Sequence, residues 1–220
     1  MTGRQAEPRQ YLDDNCTVAP DGTSLVLNFD AYGVDERSHS RIVTLLQANP
    51  HIITLKAVIH QASSQQSQHI YRYLRGLGVP GLHFIPYISV DNMGNLTTES
   101  VRAEEWGAFL IAVFDLWVQK DIEQVRIQFI DSALGIWRGE TPPFSGDNAL
   151  LANECRECPV LRFCYGDCPK HRIVDGGKSA LCTGYRQFFT YSAPYMKAMR
   201  DLLKQHRSPM ELMAMLAQSR

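Results

Sequence analysis

Several features that mark other classes of protein are missing from this sequence. No window approaches the roughly 18 uninterrupted apolar residues of a membrane span, and the opening residues MTGRQAEPRQYLDDNC hold no apolar core of signal-peptide length. Lys and Arg total 22 against 23 acidic residues, so no net charge would attract nucleic acid or an anionic membrane. We therefore expect a cytoplasmic protein that has neither a membrane nor a nucleic acid as its partner.

The motifs of several common catalytic sites are also missing. The sequence contains no G-x-S-x-G elbow, no G-x-x-x-x-G-K-S/T phosphate loop and no G-x-G-x-x-G turn. The 7 histidines are scattered, and no pair has the H-E-x-x-H spacing that would place two imidazoles on one zinc ion. Hydrolase and nucleotide-binding functions therefore have little support.

Cysteine is scarce in the first 154 residues, which contain only Cys16, and is concentrated in the segment that follows. Five cysteines occur there with the spacing C-x2-C-x5-C-x3-C-x13-C, and a short C-x2-C loop lets two thiolates converge on one metal centre. Disulfides are less favoured, because five close cysteines leave an odd thiol and no secretory segment precedes them. The candidate metal ligands are Cys155, Cys158, Cys164, Cys168 and Cys182.

The spacing alone does not distinguish zinc from an iron–sulfur cluster. A structural zinc site usually has two close pairs of ligands, and pairing Cys164 with Cys168 would leave Cys182 unused. An iron–sulfur cluster also needs only four thiolates, so the fifth is either a spare or a ligand of a second cluster. Both metals stay open at this point.

The cysteine segment resembles a known family. The sequence CRECPVLRFCYGDCPKHR, followed by LCTGYRQFFTYSAPYM, is similar to the C-terminal SPASM segment of the anaerobic sulfatase-maturating enzymes of the radical SAM superfamily. The similarity includes the C-P-K run, Arg172 and the aromatic tail that begins at Tyr185. It implies one auxiliary 4Fe-4S cluster held by Cys155, Cys158, Cys164 and Cys182. It also implies that Cys168 belongs to a second auxiliary cluster.

The resemblance carries expectations about activity. Enzymes of this family use S-adenosylmethionine to form a radical that converts a Cys or Ser of a target sulfatase to formylglycine, which implies a sulfatase or another peptide as partner. The C-x3-C-x2-C motif of the catalytic cluster and the segment with the catalytic aspartate have no counterpart in these 220 residues. The family's S-adenosylmethionine motif is altered here to LNFDA: Asn28 replaces the family's serine, and Ala31 replaces its glycine. We expect a shortened member that is inactive alone and whose S-adenosylmethionine binding is doubtful; the alternative is a noncatalytic zinc-binding or scaffold protein.

Alternating apolar patterns predict the fold class. Strand-like runs occur at SLVLNFD, HIITLKAVIH, LHFIPYISV and IEQVRIQFID, separated by helical segments, which predicts parallel βαβ units of an α/β fold. With the resemblance, this implies an irregular lead-in (1–22), half of a radical SAM-type α/β barrel (23–145) and a SPASM-like iron–sulfur segment with C-terminal helices (146–220). We also predict a long helix capped by Thr98 that ends near Asp121, and a helical break near Pro194.

The predicted half-barrel has a consequence for association. Four strands cannot close a barrel, and SLVLNFD would lie at an open edge with no internal Lys or Pro to deter pairing. We therefore expect self-association through this edge.

Overall fold

A mixed sheet forms the centre of the structure, a computed structural model that describes residues 16–29, 35–141, 151–174 and 176–218. Its strands are β1 (Cys16–Val18), β2 (Ser24–Phe29), β3 (Thr54–Ile59), β4 (Gly81–Pro86) and β5 (Arg126–Ile127), in that spatial order. Strands β2 to β5 are parallel, and β1 is antiparallel to β2. The parallel arrangement confirms the predicted α/β class.

Helices connect and cover these strands. The described α-helices are α1 (Glu36–Ala48), α2 (Ser67–Gly76), α3 (Ala103–Lys120), α4 (Gln128–Arg138), α5 (Asn153–Arg156), α6 (Leu161–Cys164), α7 (Cys182–Lys204) and α8 (Glu211–Gln218). Short 3-10 helices occur at Ser63–Gln66 and Pro169–His171. No helix in the part of the chain that the structure describes is long and apolar enough to cross a membrane. Residues 1–15 of the predicted lead-in (1–22) lie outside the described residues, whereas its residues 16–18 form β1.

The hydrophobic core lies between the sheet and helix α3. Strand β3 alternates half-buried and buried positions, and its Leu55 and Ile59 are fully buried. The apolar face of α3 is buried as well, and the Phe109 ring meets Phe84 of β4 edge-on with ring centroids 5.2 Å apart. Burial of such aromatic and branched side chains is the main stabilising contribution to this part of the chain.

The prediction that SLVLNFD forms an open edge is wrong over much of its length. Strand β1 pairs with β2 from Leu25 to Leu27, so the edge strand is β1, which has only three residues. A tight turn joins the two strands: the Asp21 carboxylate accepts hydrogen bonds from the Thr23 and Ser24 backbone N–H groups. The Pro-Asp-Gly sequence of this turn is a hairpin signal. Because β1 is short, it leaves few unpaired backbone groups for association.

Three further boundaries differ from the prediction. The run IEQVRIQFID is a strand only at Arg126–Ile127, because helix α4 starts at Gln128 and turns Phe129 toward Phe188 of α7, 5.1 Å between ring centroids. Helix α3 begins at Ala103 rather than after Thr98, although it ends at Lys120 as expected. Helix α7 passes through Pro194 without a break, since the buried side chains on both sides of it pack on one core.

Candidate metal centre

Short helices position the cysteines of the candidate site. Cys155 lies within α5, Cys164 is the last residue of α6, and Cys182 is the first residue of α7. Cys158 lies in the loop between α5 and α6, where its backbone N–H donates to the Cys155 carbonyl at 3.1 Å. All six cysteines of the chain are free thiols.

Four of the five predicted ligands line one pocket of about 330 Å³, which includes its opening to solvent. The cysteines are Cys155, Cys158, Cys164 and Cys182. The remaining wall residues are Val160, Leu161, Gly166, Asp167, Ser179 and Tyr185. Cys168 is not among the lining residues; it precedes the 3-10 helix Pro169–His171. The structure thus places along one pocket the four cysteines that the resemblance assigns to one cluster, and the fifth is not among the residues that line it.

The thiols of the pocket influence one another electrostatically. The pKa of Cys164 is raised to about 11, mainly by burial; a hydrogen bond from the Gly166 backbone opposes this shift, and the nearby Cys158 and Cys182 contribute to it. Burial also raises the pKa of Cys182, and Lys178 partly offsets this effect. The raised pKa values favour the protonated thiols. A bound metal cation would reverse this, because a coordinating thiol is deprotonated.

An unusual turn follows Cys164. Tyr165, Gly166 and Asp167 are three consecutive residues with positive φ, at 49°, 73° and 59°. The positive φ of Gly166 favours glycine, and a Cβ atom there would also displace the end of the Leu151 side chain. The Arg172 guanidinium donates to all three carbonyls of the turn, at 2.9 Å to Gly166 and 3.1 Å to each of the other two. Arg172, which contributed to the family resemblance, therefore holds the backbone that carries Cys164.

The Asp167 side chain connects this turn to the segment before Cys182. Its carboxylate accepts hydrogen bonds from His171 Nδ1 at 2.9 Å, Ser179 Oγ at 2.8 Å and Tyr185 Oη at 3.3 Å. The side chain is only 10% exposed. Reasoning from the sequence missed this residue; its position between a glycine and Cys168 was the only available signal.

Helix α7 joins the pocket to the rest of the protein. Gly184, two residues after Cys182, lies against Gly107 of α3, and a Cβ atom on Gly184 would overlap the Ala103 carbonyl oxygen. Farther along α7, the Phe188 ring packs edge-on against Phe114 of α3, 5.9 Å between centroids. The position of Cys182 is therefore tied to the hydrophobic core.

The donor chemistry of the pocket fits a thiolate-bound metal centre. Thiolates are soft anionic ligands that suit iron–sulfur clusters and zinc. Across the described ranges, no group of three or more His, Cys, Asp or Glu side chains converges closely enough to hold a single ion. The four cysteines instead line one shared pocket, which their thiolate chemistry suits to a metal centre with several ligands.

Other residues named by the sequence analysis lie outside this site. Ala31 and its neighbours Asp30 and Gly33 lie outside the described residues, whereas Asn28 lies half-buried on β2. Phe84, in the predicted strand LHFIPYISV, is a core residue and 3% exposed.

Comparisons with known proteins identify relatives of two kinds. No family model matches the chain. The uncharacterized protein YidF of Escherichia coli is 40% identical over 161 residues, which covers 73% of this chain and 91% of YidF. A serine-type anaerobic sulfatase-maturating enzyme of Bacteroides thetaiotaomicron is 30% identical over 181 residues, which covers 56% of this chain and 44% of that enzyme. The chain therefore spans less than half of that enzyme's length.

Solved structures share the fold. The enzyme anSMEcpe with bound AdoMet superimposes with a TM-score of 0.62 at 16% identity, covering 80% of this chain and 68% of that one. The same enzyme with AdoMet and the Cp18Cys peptide gives a TM-score of 0.62, with 81% and 69% coverage. This similarity confirms the predicted partial radical SAM fold.

Proposed function

We propose that this chain is a shortened relative of the anaerobic sulfatase-maturating enzymes of the radical SAM superfamily and that it binds an auxiliary 4Fe-4S cluster. The proposed ligands are Cys155, Cys158, Cys164 and Cys182. In this proposal residues 146–220 form a SPASM-like segment that follows the barrel portion at 23–145. Cys168 has no assigned cluster.

One observation carries the proposal: the four cysteines line the same pocket although up to 27 positions separate them in the chain. Three separate helices and one loop supply them, and the Arg172 and Asp167 hydrogen bonds order the intervening turns. Val160 and Leu161 add apolar walls that would limit the access of water. A structure built only from hydrophobic contacts has no need to gather four thiols in this way.

The role of this centre would be to pass electrons rather than to start a radical. An auxiliary cluster, when bound, accepts or donates single electrons at a potential that the surrounding protein sets. The chain's own residues would hold the cluster and limit the access of water to it. Helix α7, which begins at Cys182 and packs on α3, would fix the position of the cluster relative to the hydrophobic core. The 220 residues contain no C-x3-C-x2-C motif, so we assign no S-adenosylmethionine chemistry to them alone. By family resemblance, the partner would be a sulfatase or another peptide.

Metal content tests the proposal most directly. Protein purified without oxygen should contain about four irons and four sulfides per chain and show the brown absorption of a cluster. The variant Cys16→Ser is the control, because Cys16 is buried in β1 and does not line the pocket. It should keep the same iron content. A colourless protein with one zinc per chain would contradict the proposal and support the noncatalytic zinc-binding alternative.

A second assay addresses turnover. The reconstituted 220-residue protein should form no 5′-deoxyadenosine when it is supplied with S-adenosylmethionine and a reductant. Formation of that product in proportion to the amount of protein would show that the chain does start radical chemistry.

A further inference from the structure

We propose that Asp167 is a positioning residue of the cysteine pocket, which fastens the segment before Cys182 to the turn after Cys164 and keeps a carboxylate beside the cluster. The inference deepens the proposed function and depends on it, since it concerns how the chain holds that cluster and sets its potential. Two lines of observation support it: the hydrogen bonds of Asp167 and its place in the pocket wall.

The hydrogen bonds of Asp167 reach both parts of the site. Its own backbone N–H donates to the Cys164 carbonyl at 2.6 Å, so the residue belongs to the turn that presents this thiol. Its carboxylate accepts from Ser179 Oγ, and the same Ser179 oxygen accepts the Leu181 backbone N–H at 3.0 Å. The Ser179 carbonyl then accepts the Cys182 backbone N–H at 3.2 Å. A continuous chain of hydrogen bonds therefore connects Cys164 with Cys182 through Asp167.

The backbone of Asp167 is held in a conformation that few residues adopt. Its φ of 59° is in the left-handed region, where Asp and Asn are among the tolerated side chains. Such a conformation persists when the surrounding contacts determine it. Here Arg172 binds the Asp167 carbonyl, and the three donors to the carboxylate hold its side chain. The geometry is that of a fixed support rather than of a mobile surface group.

The charge of the carboxylate has a separate consequence. Asp167 lines the pocket together with the four cysteines, and its negative charge acts on Cys164. A nearby anion disfavours the addition of an electron to a cluster, since hydrogen bonding and net charge are among the factors that set its potential. The neighbouring basic groups keep their places in the variant without this charge: His171 lies 2.9 Å from the Asp167 carboxylate, Lys178 pairs with Glu154 at 2.8 Å, and Arg172 binds backbone carbonyls. Removal of the charge should therefore make the cluster easier to reduce.

Two variants separate the two parts of the inference. Asp167→Asn keeps the size and tolerates the positive φ, but it removes the charge and replaces one of the two acceptor oxygens that His171, Ser179 and Tyr185 share. Ser179→Ala removes the hydrogen bond to the Cys182 segment and leaves all charges in place. Asp201→Asn is the matched control, because it removes one negative charge from α7 about 28 Å along the helix from Cys182.

Two measurements on the anaerobically purified full chain decide the outcome. Asp167→Asn should shift the midpoint potential upward at a fixed pH, whereas Asp201→Asn and Ser179→Ala should keep the wild-type value. In the presence of an iron chelator, Asp167→Asn and Ser179→Ala should lose iron roughly 10-fold faster than wild type, the scale typical of groups that support metal ligands. Asp201→Asn should lose it at the wild-type rate.

The possible failures can be told apart. If wild-type protein contains no iron, the proposed function is wrong, and this inference is wrong with it. If wild-type protein contains the cluster but Asp167→Asn has an unchanged potential and both variants release iron at the wild-type rate, only the inference is overturned. Should Asp167→Asn fail to hold iron at all, Ser179→Ala decides: fast release supports the inference and a wild-type rate overturns it.

Discussion

The sheet with its covering helices and the segment that carries five cysteines, residues 151–182, are ordered by different forces. In the first region, long helices cover a sheet whose Leu55, Ala57 and Ile59 are fully buried. The cysteine segment contains two α-helices of four residues each, and its own apolar cluster consists of Leu151, Ala152 and Cys155 with Leu161 packed against them. Hydrophobic burial can order the first region alone, but the second buries little apolar surface of its own.

Polar contacts take over much of that role in the cysteine segment. Arg172 holds three consecutive left-handed residues, and Asp167 gathers three donors around one carboxylate. Such networks specify a geometry but leave only a small net stabilisation, about 1 kcal/mol for each hydrogen bond. A segment of this kind gains the most from a bound metal, because ligand binding and local folding are coupled. The comparison therefore predicts that the two regions respond differently to the same perturbations.

Loss of a cluster ligand should have the largest effect and should be confined to the cysteine segment. We expect Cys182→Ala to remove most of the iron and to weaken amide protection in residues 151–181, with little change in strands β2 to β4. Cys168→Ala is the matched control and should be nearly silent, because Cys168 does not line the pocket. Iron analysis and hydrogen exchange measure both results. Equal iron loss from the two variants would contradict the ligand assignment.

A methyl group at the contact between α3 and α7 should destabilise both regions together. In Gly184→Ala the new Cβ atom would overlap the Ala103 carbonyl oxygen and lie 2.9 Å from the Gly107 backbone nitrogen. Overpacking of this kind costs about 1–3 kcal/mol of the free energy of unfolding. Chemical denaturation measures the loss.

The control for that variant is Gly76→Ala at the end of α2, where a Cβ atom meets nothing within 4 Å. It should leave stability unchanged or raise it by about 0.5–1 kcal/mol, because alanine loses less backbone entropy on folding than glycine does. Equal denaturation midpoints for the two variants would show that α7 moves freely against α3.

Acid should weaken the sheet with its covering helices through His83, with a smaller effect. Burial, and secondarily Lys56 on the adjacent strand, lowers the pKa of His83 to about 4. Below the ordinary histidine value of about 6.5 the unfolded chain binds a proton that the native state does not, so stability falls as the pH decreases toward 4. Between pH 7 and pH 5 we expect a loss of roughly 1 kcal/mol, allowing for partial exposure of the ring.

Denaturation of the wild type and of His83→Gln at both pH values tests this effect. The variant lacks the titrating ring, so the difference in stability between the two proteins should change with pH in the direction that favours the variant in acid. A difference that stays constant from pH 7 to pH 5 would show that His83 takes no part in the acid response.

Sequence patterns predicted secondary structure best where the apolar pattern of one short segment was enough to distinguish a strand from a helix. The strands Thr54–Ile59 and Gly81–Pro86 were predicted because each is a compact apolar run, and α3 because its aromatic residues recur with helical spacing. The sequence IEQVRIQFID was misassigned because Phe129 and Ile130 suit a strand as well as a helix that packs on α7. The β1–β2 hairpin was missed even though its Pro-Asp-Gly turn was visible.

By itself, the sequence determined the parallel βαβ order and singled out the cysteines that we propose as metal ligands, because periodicity and C-x2-C spacing are local properties of the chain. Only the tertiary structure decided that four of five cysteines share a pocket, that β1 covers the edge of β2, and that Asp167 and Ser179 connect the Cys164 turn to α7. Each of these depends on contacts between residues distant in the chain. Such contacts form when the whole fold lowers its free energy, so no single segment encodes them.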